Sequence, residues 1–163
     1  MLRKLLNFLF TFEAAIAILC YTAIAALIMT DVGLREILGT SIRGAQRISV
    51  YLMIMTGFLG LGLAASRGRH LRPRFADGLV PNRFATQIDR LGSFLMTLVF
   101  LAFGVIGIEF VQVAYEYEDL ARNIKIPMWI IQLVVPYAFF STAVRYAIYT
   151  ARPDLKPDEV MGE

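Results

Sequence analysis

Glu13 and Glu109 are the residues from which this chain could build chemistry, because each carboxylate stands inside a long apolar run. A carboxylate at membrane depth costs a few kcal/mol unless it faces protein or water. Glu13, about two turns into its run, therefore has two readings. It is a proton or substrate site, or it is an acid placed near the headgroups or paired with a partner's basic group. Glu109 stands toward the far end of its run, one turn or so from the interface, where the cost falls. Arg145 is a basic residue inside a run, within a turn and a half of the end of the last one and expected to snorkel to the headgroups.

Other reactive groups are scarce. One cysteine, Cys20, and one histidine, His70, exclude an intramolecular disulfide, a paired-cysteine relay and a haem held by two histidines of this chain. Cys20 lies in an apolar run and reads as a small packing residue. His70 stands among arginines with no second ligand type nearby, so neither a metal nor another cofactor is expected. With no Gly-rich phosphate loop and no nucleophile–base pair, the chain reads as a non-enzyme.

The elements that must position these acids are membrane spans. Of the 163 residues, 58% are hydrophobic and the mean hydropathy is +0.62, more apolar surface than a soluble domain of this size can hide. The apolar runs predict an all-α integral membrane protein with four transmembrane helices near 5–29, 46–65, 91–114 and 127–150. The first run is longer than the roughly 7–15-residue core of a secretory signal. It therefore reads as an uncleaved span, although Ala23-Ile24-Ala25 has the form of a cleavage site. Across 31–45, Leu34, Ile37, Leu38, Ser41, Ile42 and Ala45 fall at helical spacing. They predict a short amphipathic helix in the interface, capped by Asp31 and broken at Gly39 or Gly44.

Small residues mark the contact faces. In the second span Gly60 and Ala64 form a small-xxx-small pair with Gly57 on nearly the same face, which lets another helix approach closely. Gly92, Ala102, Gly104 and Gly107 supply small residues in the third. In the fourth, Pro127 suits a first turn, and Pro136 predicts a kink. Trp129 with Tyr115 and Tyr117 predicts one aromatic belt, and Tyr146 with Tyr149 the other. Residues 153–163 form a polar tail.

The net charge of +3 sits in loops rather than on a basic helix, so nucleic acid is not an expected partner. Arg67, Arg69, Arg72 and Arg74 follow the second span and are expected against anionic lipid headgroups. The N-terminus, the 66–90 loop and the C-terminal end hold eleven of the sixteen Lys and Arg residues. By the positive-inside rule both termini and the arginine loop are cytoplasmic.

Four strings carry a resemblance to a known family. Asp31-Val-Gly-Leu-Arg35 resembles an Asp-x-x-x-Arg pattern after the first span, and Gly44-Ala-Gln-Arg-Ile-Ser-Val-Tyr-Leu-Met53 an entry into the second. Phe58-Leu-Gly60 followed by Arg67-Gly-Arg-His70 resembles the span's glycine and the histidine after its turn. Ile126-Pro-Met-Trp129 with Pro136 resembles the start of the last span. In this order and spacing, over roughly Thr30 to Arg152, they resemble the small membrane subunit (DctQ-type) of tripartite ATP-independent periplasmic (TRAP) transporters.

The resemblance implies a non-catalytic scaffold in the bacterial inner membrane. Such a subunit forms a heterodimer with a large (DctM-type) membrane subunit and works with a periplasmic substrate-binding protein. Together they import an organic anion, often a carboxylate, on a sodium gradient. Candidate partner contacts are then Arg35, Arg43, Gln46, Gly57, Gly60, Ala64, Trp129 and Pro136. The family often has Glu where this chain has Gln46, so a contact there is a neutral hydrogen bond. A different class of function is an autonomous proton-coupled exporter, a homodimer working through Glu13.

Overall fold

The computed structural model describes residues 2–67, 85–117 and 127–155. They form α1 (Leu2–Leu38), α2 (Ala45–Ser66), α3 (Ala85–Glu116), α4 (Met128–Gln132) and α5 (Val134–Ala151), closed by a 3-10 turn at Pro153–Leu155. Four helical segments are long and apolar enough to cross a membrane: α1, α2, the Arg90–Glu116 part of α3, and Met128–Ala151. Among the described residues there is no strand pairing that builds a sheet. The four-span reading therefore holds, and its details change in three places.

The first change is at the α1–α2 connection. A separate helix over 31–45 does not form: residues 31–38 are the last turns of α1, whose 37 residues extend roughly 55 Å. The chain stops being helical where Gly39 and Gly44 adopt φ of 66° and 88°, conformations that glycine reaches without a Cβ penalty. Asp31 caps no helix start. Its Oδ1 accepts from the Ile42 amide at 2.7 Å and the Ser41 hydroxyl at 2.8 Å, and its Oδ2 accepts from Arg35 at 2.6 Å. A buried carboxylate thus ties the connection back onto α1 and satisfies an otherwise orphaned backbone donor.

The second change is in the last span. It is split at Leu133, between α4 and α5, three residues before Pro136. Proline lacks the N–H that would bond one turn back and crowds the preceding turn, so the disturbance falls N-terminal to it. Tyr146 and Tyr149 supply the third change. They are buried at 6% and 4% exposure, and the Tyr146 ring stacks on Phe100. They are core residues rather than an interfacial belt. Tyr115 meets Trp129 edge to face at 5.8 Å, joining the end of α3 to α4.

The helices pack in the order α1, α2, α5, α3, with α1 and α3 at the two ends. This openness leaves 39% of the Met128–Ala151 window buried against 17% for each outer span, so α5 is the central helix. Its partner α3 runs antiparallel to it, and the contact rests on two glycines. A Cβ on Gly104 would lie 2.9 Å from the Phe140 ring, and one on Gly107 would lie 3.3 Å from the Pro136 backbone. Close backbone approach of this kind is how helices associate where lipid removes the hydrophobic drive.

Replacing Gly107 by Leu should force α3 off α5 at a cost of about 1–3 kcal/mol. Gly92→Leu, at a site with nothing within 4 Å, should be near neutral. Thermal unfolding of the two purified variants in mild detergent makes the comparison.

Candidate functional site: a buried ion pair across three helices

Glu13 of α1 and Arg145 of α5 meet inside the bundle, at 1% and 0% exposure. The pair is bidentate: Nη2 donates to Glu13 Oε2 at 2.8 Å and Nη1 to Oε1 at 3.2 Å. Nη1 also donates to Ser141 Oγ at 2.8 Å, and the Ser141 hydroxyl donates in turn to Glu13 Oε1. Ser141 precedes Arg145 by four residues, one helical turn, so the two side chains share a face of α5. Arg145 Nε is buried without a hydrogen bond.

Between α1 and α5 stands α2, and the pair passes over it at Gly62. A Cβ there would fall 2.6 Å from Arg145 Nη1 and closer still to Glu13 Oε2. Only glycine leaves room for the guanidinium and carboxylate to meet across the helix. Leu59 and Ala65 are buried on the same side of α2 and pack into the two apolar clusters that flank the pair, with Ala17 and Val134 on one side and Phe100 and Tyr146 on the other.

This geometry corrects two expectations. Arg145 does not snorkel, because its charge is neutralised in place by Glu13. Glu13 does not wait for another chain's basic group: that group comes from its own last helix. With both oxygens engaged, it is not presented to a substrate or a proton path. Glu109 is elsewhere, exposed on α3, so the two acids form no joint site. Among the described residues no three His, Cys, Asp or Glu side chains gather as a metal site.

The remaining candidate residues are scattered. Arg35, Arg43 and Gln46 are exposed around the α1–α2 connection, and Trp129 is half-buried. Gly57 and Gly60 have nothing within 4 Å of a built Cβ, and Ala64 on their face is half-buried. Among the described residues, no other helix seats on Gly57 or Gly60. Pro136 is buried against Gly107 and offers no surface to a partner. Arg67 lies over the Phe10 ring at 5.6 Å. Arg69, Arg72, Arg74 and His70 lie outside the described residues.

The family model for the DctQ component of tripartite ATP-independent periplasmic transporters matches residues 24–154. The chain belongs to the DctQ family. It is therefore a transporter subunit, not an enzyme. It is also 27% identical over 148 residues to the ectoine TRAP transporter small permease protein TeaB of Halomonas elongata, covering 91% of this chain and 76% of that protein. In this DctQ chain the matched region holds Arg145, Ser141 and Gly62, whereas Glu13 lies before it.

Sequence reasoning singled out both charges without pairing them. Ser141 was missed, although its i, i+4 relation to Arg145 is a readable signal. Gly62 went unassigned because it stands on the opposite side of α2 from Gly60, two residues or about 200° away.

Breaking the pair by Arg145→Ala strands a buried carboxylate and should destabilise the chain by about 3–5 kcal/mol. Combining it with Glu13→Leu should recover most of that loss. The readout is the thermal midpoint of the two single variants and the double variant in one detergent.

Proposed function

We propose that this chain is the non-catalytic scaffold of a TRAP-type secondary transporter. With a large membrane subunit and a periplasmic binding protein it serves the import of an organic anion, a carboxylate, driven by a sodium gradient. The observation that carries this reading is the closed Glu13–Arg145–Ser141 network. The acid a transporter would use for coupling is consumed in joining helices, and what the chain offers outward is apolar surface. Ile18, Leu19 and Met29 of α1 are each at least 67% exposed, a load of apolar side chains suited to lipid and to a larger membrane partner.

In this proposal the protein sits in the bacterial inner membrane with both termini and the arginine loop in the cytoplasm, as the distribution of Lys and Arg indicates. The open Gly57/Gly60/Ala64 face of α2 receives a helix of the large subunit. Arg35, Arg43 and Gln46 stand at the opposite, periplasmic end, with Trp129 at the α3–α4 corner, where partner contacts are also placed. Arg67 reaches anionic headgroups together with the arginines that follow it.

The test is affinity purification of tagged chain from its native membrane in mild detergent, with mass spectrometry of what accompanies it. A stoichiometric, many-spanning membrane protein is the expected result, and a clean homodimer would overturn the proposal. Gly60→Leu should reduce recovery of that partner while leaving the chain's own thermal midpoint unchanged. Recovery in an unchanged ratio would show that this α2 face is not the contact.

A further inference from the structure

Glu109 is an acid inside the membrane-spanning part of α3 that the described residues leave open. It is exposed, and no described residue makes a hydrogen bond or ion pair with it. Its depth can be read from the neighbours. Gly107 packs on Pro136, so Glu109 lies near the level of Val134. Val134 lies six residues inside the Met128–Ala151 span, and Glu109 seven residues before the end of Arg90–Glu116. Tyr115 and Trp129, the aromatic pair that marks the near interface, lie six residues further on, about 9 Å along the axis.

About two turns inside the end of its span, an unpaired carboxylate has a reduced but still unfavourable cost. Helical side chains also lean toward the N-terminus of their helix, which on α3 directs Glu109 away from its nearer interface. The acid is not isolated on its surface. Ala102, Val105, Glu109 and Gln112 are spaced by three and four residues on one face, and all are exposed. A stripe with a small residue at one end and two hydrogen-bonding groups at the other is a face that packs on another helix. An ionisable group there is satisfied by another polar or charged group or by water, and a basic side chain on the docked helix is the strongest such partner.

A second copy of this chain does not supply that charge. Copies sharing one membrane orientation would set Glu109 against its own level, and the intramembrane base, Arg145, is fully buried in its pair with Glu13. We propose that this α3 face docks a membrane helix of a different protein, the large transporter subunit, whose Lys or Arg side chain pairs with Glu109 inside the bilayer. The inference rests on the scaffold reading above and adds a second contact on the far side of the bundle from α2.

The experiment places a photo-crosslinking amino acid at Val105 in the full-length tagged chain, expressed in its native membrane. In parallel, Glu109→Gln and Glu109→Lys are purified and the co-purifying large subunit is quantified. The expected result is an adduct between position 105 and a span of the large subunit that carries Lys or Arg. Glu109→Lys should then lower recovery of that subunit by about tenfold or more, and Glu109→Gln by less. An acidic replacement of the cross-linked span's basic residue should restore recovery with Glu109→Lys. If wild type brings down the large subunit but position 105 labels only lipid, or both Glu109 variants recover it fully, the inference is overturned and the scaffold reading stands. An adduct with a second copy of the chain also overturns it. Absence of any large subunit from the wild-type sample overturns the scaffold reading itself.

Discussion

A charge cannot be left unpaired in the interior of a membrane bundle, and the packing of this protein follows from how one such charge is satisfied. Arg145 lies on the central helix, fully buried, and Glu13 comes from the far end of the helix row to meet it. Desolvating both groups is expensive, and a bidentate contact with a third hydrogen-bonding group, Ser141, is what offsets that cost. The arrangement also links the two hairpins. α1 packs on α2 and α3 on α5, so a contact from α1 to α5 joins the first half of the chain to the last.

Glycine distribution follows from the same requirement and sorts the surfaces. Gly62 makes room for the ion pair, and Gly104 and Gly107 let Phe140 and Pro136 seat on α3. These three are used up inside the chain. Gly57 and Gly60 are on the other side of α2, where no described residue comes within 4 Å of a Cβ placed on them. A single helix thus has one small-residue side that closes its own bundle and another left open, as a subunit that must both fold and dock requires. The row of helices has the same consequence on a larger scale, because α1 and α3 each have one packed flank and expose the rest.

The α1–α2 connection shows how a local contact substitutes for a regular element. Asp31 holds Ser41, the Ile42 amide and Arg35, so a segment with helical spacing is held as a tight loop. The periodicity over 31–45 was real, but its first half belongs to the end of α1. The rest is interrupted by two glycines in the left-handed region, which tertiary hydrogen bonding stabilises.

By itself the sequence determined the class of the protein and the number of spans, because apolar run length is a one-dimensional quantity set by bilayer thickness. Its one cysteine and one histidine rule out an intramolecular disulfide and a haem held by two histidines of this chain, and it carried the strings of the DctQ family. It flagged Glu13, Glu109 and Arg145 as costly residues. What it left open was their company, since Glu13 and Arg145 are 132 residues apart and no periodicity links them. Only the tertiary structure decided that one acid is satisfied within the chain and that the other has no partner among the described residues. The reason is the helix order: with α2 thin at Gly62, α1 and α5 come within reach of each other, while the Glu109 face of α3 lies at the edge with no described helix beyond it.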